Sequence, residues 1–234
     1  IRPAARWIGL FSFFVSFLCI KAISQDYNFR KLLSPDGLSQ SFVYSITQDE
    51  QGYLWVGTGA GLSRYNGFVF EDYTMEDSLA DNFITSSISD GKDMWFGHMN
   101  GRLTYYDGKV FQAVHGAFSD LSPVTCFARD PDGRIWAGTN TGGLLKLSKE
   151  SGVVTKYRLR NQESVISFDF LEDGDLLIGT NAGLLHCRLK EPGEIDIVRI
   201  VKEIPESKVT GIVKMKFQKG FYITTENDGV YKLT

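Results

Sequence analysis

The chain has 234 residues, of which 43% are hydrophobic and 23% are charged, and its formal net charge is -3. This slightly acidic balance excludes the basic face that nucleic-acid binding needs, and no run of Lys and Arg is long enough for a membrane-surface patch. The 24 glycines and the 13% share of aromatic residues favour an all-β protein with many tight turns.

Residues 1–24 have the layout of a secretory signal peptide, in which two arginines precede an apolar run over 7–20 and small residues follow at 22–24. The run has 14 residues, whereas a spanning helix needs about 20. An uncleaved anchor is the alternative. The sequence therefore predicts an exported chain, periplasmic or extracellular, whose mature part covers residues 25–234. Because the chain begins with Ile1, we expect it to be a fragment of a longer protein.

A repeat of about 41 residues dominates the rest of the chain. The segment GYLWVGTGAGLSRY, which begins at residue 52, recurs from residues 93, 133 and 174, and a divergent copy covers 219–233. The spacings between aligned positions are 40, 41, 41 and 45 residues, for Trp55, Trp95, Trp136, Leu177 and Tyr222. Five copies at a near-constant spacing indicate a repeat architecture.

Each repeat resolves into four short strands, which in the first copy cover 43–49, 53–58, 62–65 and 68–74. Asn66-Gly67 is a two-residue hairpin signal between the third and fourth strands, because both residue types tolerate positive φ. The period and the strand number predict a β-propeller of four-stranded antiparallel blades. About five blades are expected, near 43–74, 84–114, 124–158, 165–200 and 209–234.

Small residues recur at one position of each first strand, as in Ser45, Cys126, Ser167 and Gly211. We expect this strand to be innermost, where blades converge and side-chain room is scarce. Glycines in the second strand suit a close approach between neighbouring sheets, at Gly57, Gly97, Gly138 and Gly179. Cys126 and Cys187 lie two strands out of step, roughly 10 Å apart. That exceeds the reach of a disulfide, so both are predicted to pack as buried thiols.

Residues 29–40 resemble 70–81, a fourth strand with its linker. Residues 27–33 are therefore predicted to form an orphan strand that completes the last blade and hides two sheet edges. Two alternatives follow: five blades close into a ring with this strand, or the chain is a partial ring of a larger propeller.

The repeated motif is similar to the two-component regulator propeller repeat, D-x-x-G-x-[LI]-W-x-G-T-x-x-G-L. Asp49 with residues 52–62 matches throughout, and Asp130 with residues 133–144 matches with one extra residue. The fourth copy lacks the aromatic residue at Leu177, the second has a shortened turn, and the fifth keeps only the outline. The resemblance covers roughly residues 27–234.

This resemblance implies the periplasmic sensor region of a hybrid histidine kinase, usually with seven blades in a ring. It implies no kinase chemistry in the chain itself, no cofactor, and a membrane connection only through downstream parts. A small-molecule or oligosaccharide ligand is implied, as is a homodimer of the longer parent.

The turns that join second to third strands and fourth to first strands should meet around the mouth of the axial channel. Neutral amides with a few charges suit the binding of sugar hydroxyls. The candidate ligand-binding residues in these turns are Asp81, Asn82, His98, Asn100, Asn140, Arg160, Asn181, Glu226 and Asn227. The alternative for each Asn and Asp is a purely conformational role in a tight turn.

No spacing of histidines or carboxylates predicts a metal site or a catalytic set. Asp49, Asp130 and Asp173 are interpreted as turn-stabilising residues. A propeller lyase or glycosidase is an alternative function, and it would need acid–base residues at the mouth, such as His98 or His115 with Glu226. A secreted scaffold that binds a protein or a glycan is the other alternative.

Overall fold

The computed structural model describes residues 29–114, 122–150, 152–159, 163–191 and 193–234. Residues 32–234 form one compact unit. The predicted signal peptide, residues 1–24, lies outside the described residues. Among the residues described, no helix is both long and apolar enough to cross a membrane.

The first two blades are separate four-stranded antiparallel sheets, each in the chain order of its strands. Blade 1 contains β1 (Val43–Gln48), β2 (Leu54–Thr58), β3 (Leu62–Tyr65) and β4 (Phe70–Tyr73). Blade 2 contains β5 (Ile84–Asp90), β6 (Asp93–His98), β7 (Leu103–Tyr106) and β8 (Phe111–Ala113). The four-stranded antiparallel sheets predicted from the sequence are confirmed.

The next two blades have the same order, and a three-stranded sheet follows them. Blade 3 contains β9 (Val124–Arg129), β10 (Ile135–Thr139), β11 (Gly143–Ser148) and β12 (Gly152–Leu159). Blade 4 contains β13 (Ser167–Phe170), β14 (Leu176–Thr180), β15 (Gly183–Lys190) and β16 (Glu194–Ile200). Blade 5 contains β17 (Val209–Lys214), β18 (Phe221–Thr225) and β19 (Val230–Leu233).

The first strands of successive blades lie side by side, in the order β1, β5, β9, β13 and β17. A close approach of neighbouring sheets brings them together. A Cβ built on Gly57 would lie 2.5 Å from Ile84 of the next blade, and one on Gly179 would lie 2.5 Å from Val209. The predicted role of the second-strand glycines is therefore confirmed.

The small residues of the first strands face these glycines across the sheet. Ser45 pairs with Gly57 and Cys126 pairs with Gly138. In blade 5 the two members are exchanged, because Gly211 pairs with Thr224. One member of the pair is always glycine, since two side chains do not fit at this crowded position.

Blades 3 and 4 share one eight-stranded sheet, because their outermost strands pair in parallel. Arg158 lies opposite Glu194, and the Arg158 amide donates to the carbonyl of Gly193 at 3.0 Å. No sequence pattern predicted this link, which separate blades lack.

The segment before β1 repeats the segment before β5. A 3-10 helix covers Ser34–Asp36 and another covers Met75–Asp77, and each is followed by a buried leucine, Leu38 or Leu79. The predicted similarity of 29–40 to 70–81 is therefore confirmed in this part. Residues 29–33 are not in a strand, and residues 27 and 28 lie outside the described range, so the predicted closing strand remains a prediction.

The two described thiols are free; Cys187 is fully buried, as predicted, whereas Cys126 is half-buried. Burial raises the pKa of both Cys126 and Cys187 to about 12. This agrees with the expectation of two thiols that do not form a disulfide.

Candidate functional site

The turns expected to surround the channel mouth do meet at one edge of each blade, which we call the mouth edge. The amide of Met99 donates to the carbonyl of Phe83 at 3.1 Å, which links the second-to-third and fourth-to-first turns. The amide of Asn140 donates to Pro123 at 3.0 Å in blade 3. The predicted side-by-side arrangement of the two sets of turns follows from antiparallel strand order.

Two of the predicted ligand-binding amides stabilise turns. The Asn82 Oδ1 atom accepts a hydrogen bond from the Met75 amide at 2.8 Å and so caps the 3-10 helix Met75–Asp77. The Asn100 Oδ1 atom accepts from the Arg102 amide at 3.0 Å. Both side chains are half-buried, as is Asp81. Their placement matches the conformational alternative for Asn in tight turns.

His98 lies in the interior, on the last residue of β6, with no exposed surface. Its Nε2 atom is 2.7 Å from the Thr104 hydroxyl, and its Nδ1 atom has no hydrogen-bond partner. Burial lowers the pKa of His98 to about 4, against the opposing effects of the Asp81 charge and of the nearby backbone of Phe83 and Asp81. His98 is therefore a neutral interior residue at neutral pH, in contrast to the solvent-facing position expected from the sequence.

The other predicted residues divide into an exposed set and one that is not described. Asn140, Asn181, Glu226 and Asn227 are exposed at the mouth edge. Glu226 pairs with Lys208 at 3.0 Å. Arg160 lies outside the described residues. The exposed amides provide hydrogen-bonding groups for a ligand at this edge, and no predicted member besides these four is both described and exposed.

Concave clefts occur at the opposite edge, where the first-to-second and third-to-fourth turns lie; we call it the base edge. A cleft of about 320 Å³ lies between blades 2 and 3, one of about 420 Å³ between blades 3 and 4, and one of about 790 Å³ between blades 4 and 5. None of the eight described candidate residues lines any of these three clefts.

The base edge of the first and third blades is organised by an aspartate–tryptophan pair. The Trp55 Nε1 atom donates to Asp49 Oδ2 at 2.8 Å, and Trp136 Nε1 donates to Asp130 Oδ2 at 2.9 Å. The second carboxylate oxygen of Asp130 accepts from the Arg134 amide at 2.8 Å and closes the turn. The interpretation of these aspartates as turn-stabilising residues is confirmed.

Blade 2 departs from this arrangement and carries a cluster of charges instead. Asp90 accepts from Arg129 at 2.6 Å and from Lys149 at 3.0 Å, both from blade 3. Lys149 also contacts Asp93 at 2.5 Å. Burial alone would raise the pKa of Asp90. The hydrogen bonds and positive charges of Lys149 and Arg129 outweigh burial and hold this pKa below its usual value. The signal in the sequence was the shortened turn DGKDMW of the second repeat.

Two segments of the chain, residues 37–60 and 119–141, match the family profile described as two component regulator propeller. A histidine kinase P4 of Formosa agariphila is 46% identical over 71 residues, which is 29% of this chain and 5% of that protein. The chain thus spans a small part of the length of this relative.

Solved structures share the fold at low sequence identity. The extracellular domain of a putative hybrid two component system from B. thetaiotaomicron has a TM-score of 0.63 and 20% identity, over 87% of this chain and 35% of that one. An inactive virginiamycin B lyase from Staphylococcus aureus, with Quinupristin, has a TM-score of 0.68 and 15% identity, over 90% and 75% of the two chains.

The strand order, the repeated motif and the profile matches agree with one another. The resemblance stated from the sequence is confirmed for the two segments that the profile matches, residues 37–60 and 119–141.

Proposed function

We propose that this chain is the extracytoplasmic, ligand-sensing propeller of a two-component hybrid histidine kinase, and that its ligand is a carbohydrate. The observation that carries the proposal is the family repeat together with the 46% identity over 71 residues to a protein named histidine kinase. A propeller that senses a ligand needs no catalytic activity of its own. Binding shifts the population of signalling states by its differential affinity for them.

The proposal includes a ring larger than the five blades described. Residues aligned with Val43 in the later blades pack on the glycine of the preceding blade and are 0% exposed: Ile84, Val124, Val165 and Val209. Val43 itself is 43% exposed. Its neighbour would therefore be a blade with glycine at the matching position.

Blade 5 does not offer that glycine. Thr224 occupies in blade 5 the position that Gly97 occupies in blade 2. Gly97 has no Cβ, so it leaves room for a β-branched side chain of the next blade. The Cβ of Thr224 would clash with such a side chain. This favours at least one further blade between blade 5 and blade 1 over direct closure of a five-bladed ring.

The mouth edge supports a carbohydrate ligand through its exposed amides. Asn140 and Asn181 lie on equivalent turns of blades 3 and 4, and Glu226 and Asn227 lie on the equivalent turn of blade 5. Amide groups donate and accept hydrogen bonds at once, as sugar hydroxyls do. The ligand would bridge neighbouring blades at this edge.

A lyase is the second candidate, because virginiamycin B lyase has a similar fold. The sequence-based version of this candidate named His98 or His115 as an acid–base residue, and His115 lies outside the described residues. The burial of His98 and its pKa of about 4 weigh against that role, since a general base must reach the substrate.

Two experiments test the proposal. The first is to read the source gene beyond the codon for Thr234: further repeats, a membrane helix and a kinase support it, and an immediate stop codon overturns the kinase assignment.

The second is a calorimetric titration of the chain with defined oligosaccharides, with Asn140→Ala and Asn181→Ala as variants and Asn66→Ala, at the base edge, as the control. Saturable binding that weakens only in the first two supports sensing at the mouth edge. Protein capture without glycan binding would favour a scaffold, and product release would favour a lyase.

A further inference from the structure

Trp95 lacks the partner that its counterparts have. The indole Nε1 atoms of Trp55 and Trp136 each donate to a carboxylate, whereas Trp95 Nε1 is buried with no hydrogen-bond partner. The cause lies in the turn: Asp90 precedes Trp95 by five residues, while the other aspartates precede their tryptophans by six. Asp90 is committed to Arg129 and Lys149 instead.

The neighbouring Asp93 carboxylate, two residues away, has partners within the protein. Asp93 Oδ2 contacts Lys149 at 2.5 Å, and burial together with a hydrogen bond to Asp93 raises the pKa of Tyr105 to about 12. The indole N–H of Trp95 is thus an unused donor in blade 2. Such an atom in a native protein calls for an explanation, because leaving a buried donor unpaired is unfavourable.

Two cavities adjoin this place. One of about 320 Å³ is lined by Asp90, Trp95, Arg134, Lys146 and Lys149, and we call it the blade 2–3 cleft. The other, of about 180 Å³, is also lined by Trp95, Ser148 and Lys149. The larger volume lies at the lower end of the range of small-molecule sites.

The charges that surround the blade 2–3 cleft are largely paired. Arg129 and Lys149 bond Asp90, and Arg134 pairs with Asp130 at 3.1 Å and also contacts Asp132. Paired charges keep some hydrogen-bonding capacity but give no strong preference for an anion. A neutral ligand whose groups both donate and accept fits this lining better.

We propose that the blade 2–3 cleft binds a neutral polyhydroxylated ring, with one hydroxyl accepting from Trp95 Nε1–H. The Nε1 atom is covered, so a neighbouring side chain must move to admit the ligand. Lys149 lines both cavities beside Trp95, and nearly half of its side chain surface is exposed to solvent, which leaves it room to move. The inference rests on the proposed sensing function for its ligand class and places an additional site at the base edge.

The test is a titration of the whole chain, labelled with ¹⁵N at tryptophan, followed through the indole N–H signals. The probes are the methyl pyranosides of glucose, galactose, mannose and xylose, with methyl glucuronide as the anionic comparison. Loss of a signal in Trp95→Phe assigns Trp95. Trp55 and Trp136 are internal controls, because their N–H groups are already bonded to carboxylates.

The expected result is a saturable shift of the Trp95 signal with a neutral glycoside, without a shift of the Trp55 and Trp136 signals. Trp95→Phe should weaken this binding by about tenfold, the effect of losing one well-placed hydrogen bond. An unmoved Trp95 signal with every neutral probe, or a shift with the glucuronide alone, overturns the inference. Calorimetric binding with an unmoved Trp95 signal would overturn this site and leave the proposed sensing function standing.

Discussion

The side chain of Val124 fills the space that a Cβ on Gly97 would need, since that Cβ would lie 2.5 Å from Val124 Cγ1. Gly97→Ala should therefore lower the free energy of unfolding by about 1–3 kcal/mol, the cost of overpacking a rigid core. Denaturant unfolding measures it. Gly59→Ala is the matched control, because its nearest neighbour is the flexible end of Gln40; equal losses in both variants would contradict the argument.

A second prediction compares Val124 with Val43, the aligned residue of the first blade, which lacks this contact with a preceding blade. Val124→Asp should be strongly destabilising, by about 3 kcal/mol or more, because it buries an unpaired charge. Val43→Asp in the 234-residue chain should change stability by no more than about 0.5 kcal/mol, because the side chain is half-exposed. Melting curves of the two variants compare the positions. A large loss at Val43 would show that a neighbour already covers it.

Asp130 is expected to stabilise the base edge of blade 3. Asp130→Ala removes the acceptor of Trp136 Nε1 and of two backbone amides, so it should cost about 2–3 kcal/mol. Asp173→Ala serves as the control, since Asp173 is exposed and accepts only from the Asp175 amide among the described residues. Comparable unfolding midpoints for the two variants would show that the indole bond contributes little.

The burial of His98 should lower the free energy of unfolding in acid. Its folded-state pKa of about 4 is below the usual histidine value of 6.5, so the unfolded state binds the proton more readily between these values. The contribution is complete above pH 6.5 and is lost as the pH falls towards 4, with a total of about 3 kcal/mol. The unfolding free energy of His98→Gln should fall less steeply over this range, and parallel curves would contradict the prediction.

The two described thiols should resist alkylation in the folded chain at pH 8. Burial raises the pKa of Cys126 and Cys187 to about 12, so little thiolate is present. Mass spectrometry of peptides after iodoacetamide treatment should find both unmodified, and both modified in denaturant. Rapid labelling of Cys187 in the native chain would show that blade 4 opens locally.

Most of the fold could be predicted from the repeat, because repeat spacing and hairpin signals such as Asn66-Gly67 are local properties of the sequence. The burial of His98 could not be predicted from such local signals. All six residues of β6 are buried, since the strand packs between two neighbouring blades, and no alternation distinguishes its faces. Trp95 was identified as a repeat position, and the shortened turn that places Asp90 five residues before it is visible in the sequence. The binding of Asp90 to Arg129 and Lys149 is a tertiary contact that the sequence did not indicate.

Blades 3 and 4 share backbone hydrogen bonds between their outermost strands, β12 and β16, whereas the other described blades meet through side chains and their first strands. A tilt between blades 3 and 4 would have to break the bond between Arg158 and Gly193. These two blades should therefore move as one stiff plate. Hinge motion in this part of the propeller is then confined to the seams on either side of the plate, one of which contains the blade 2–3 cleft.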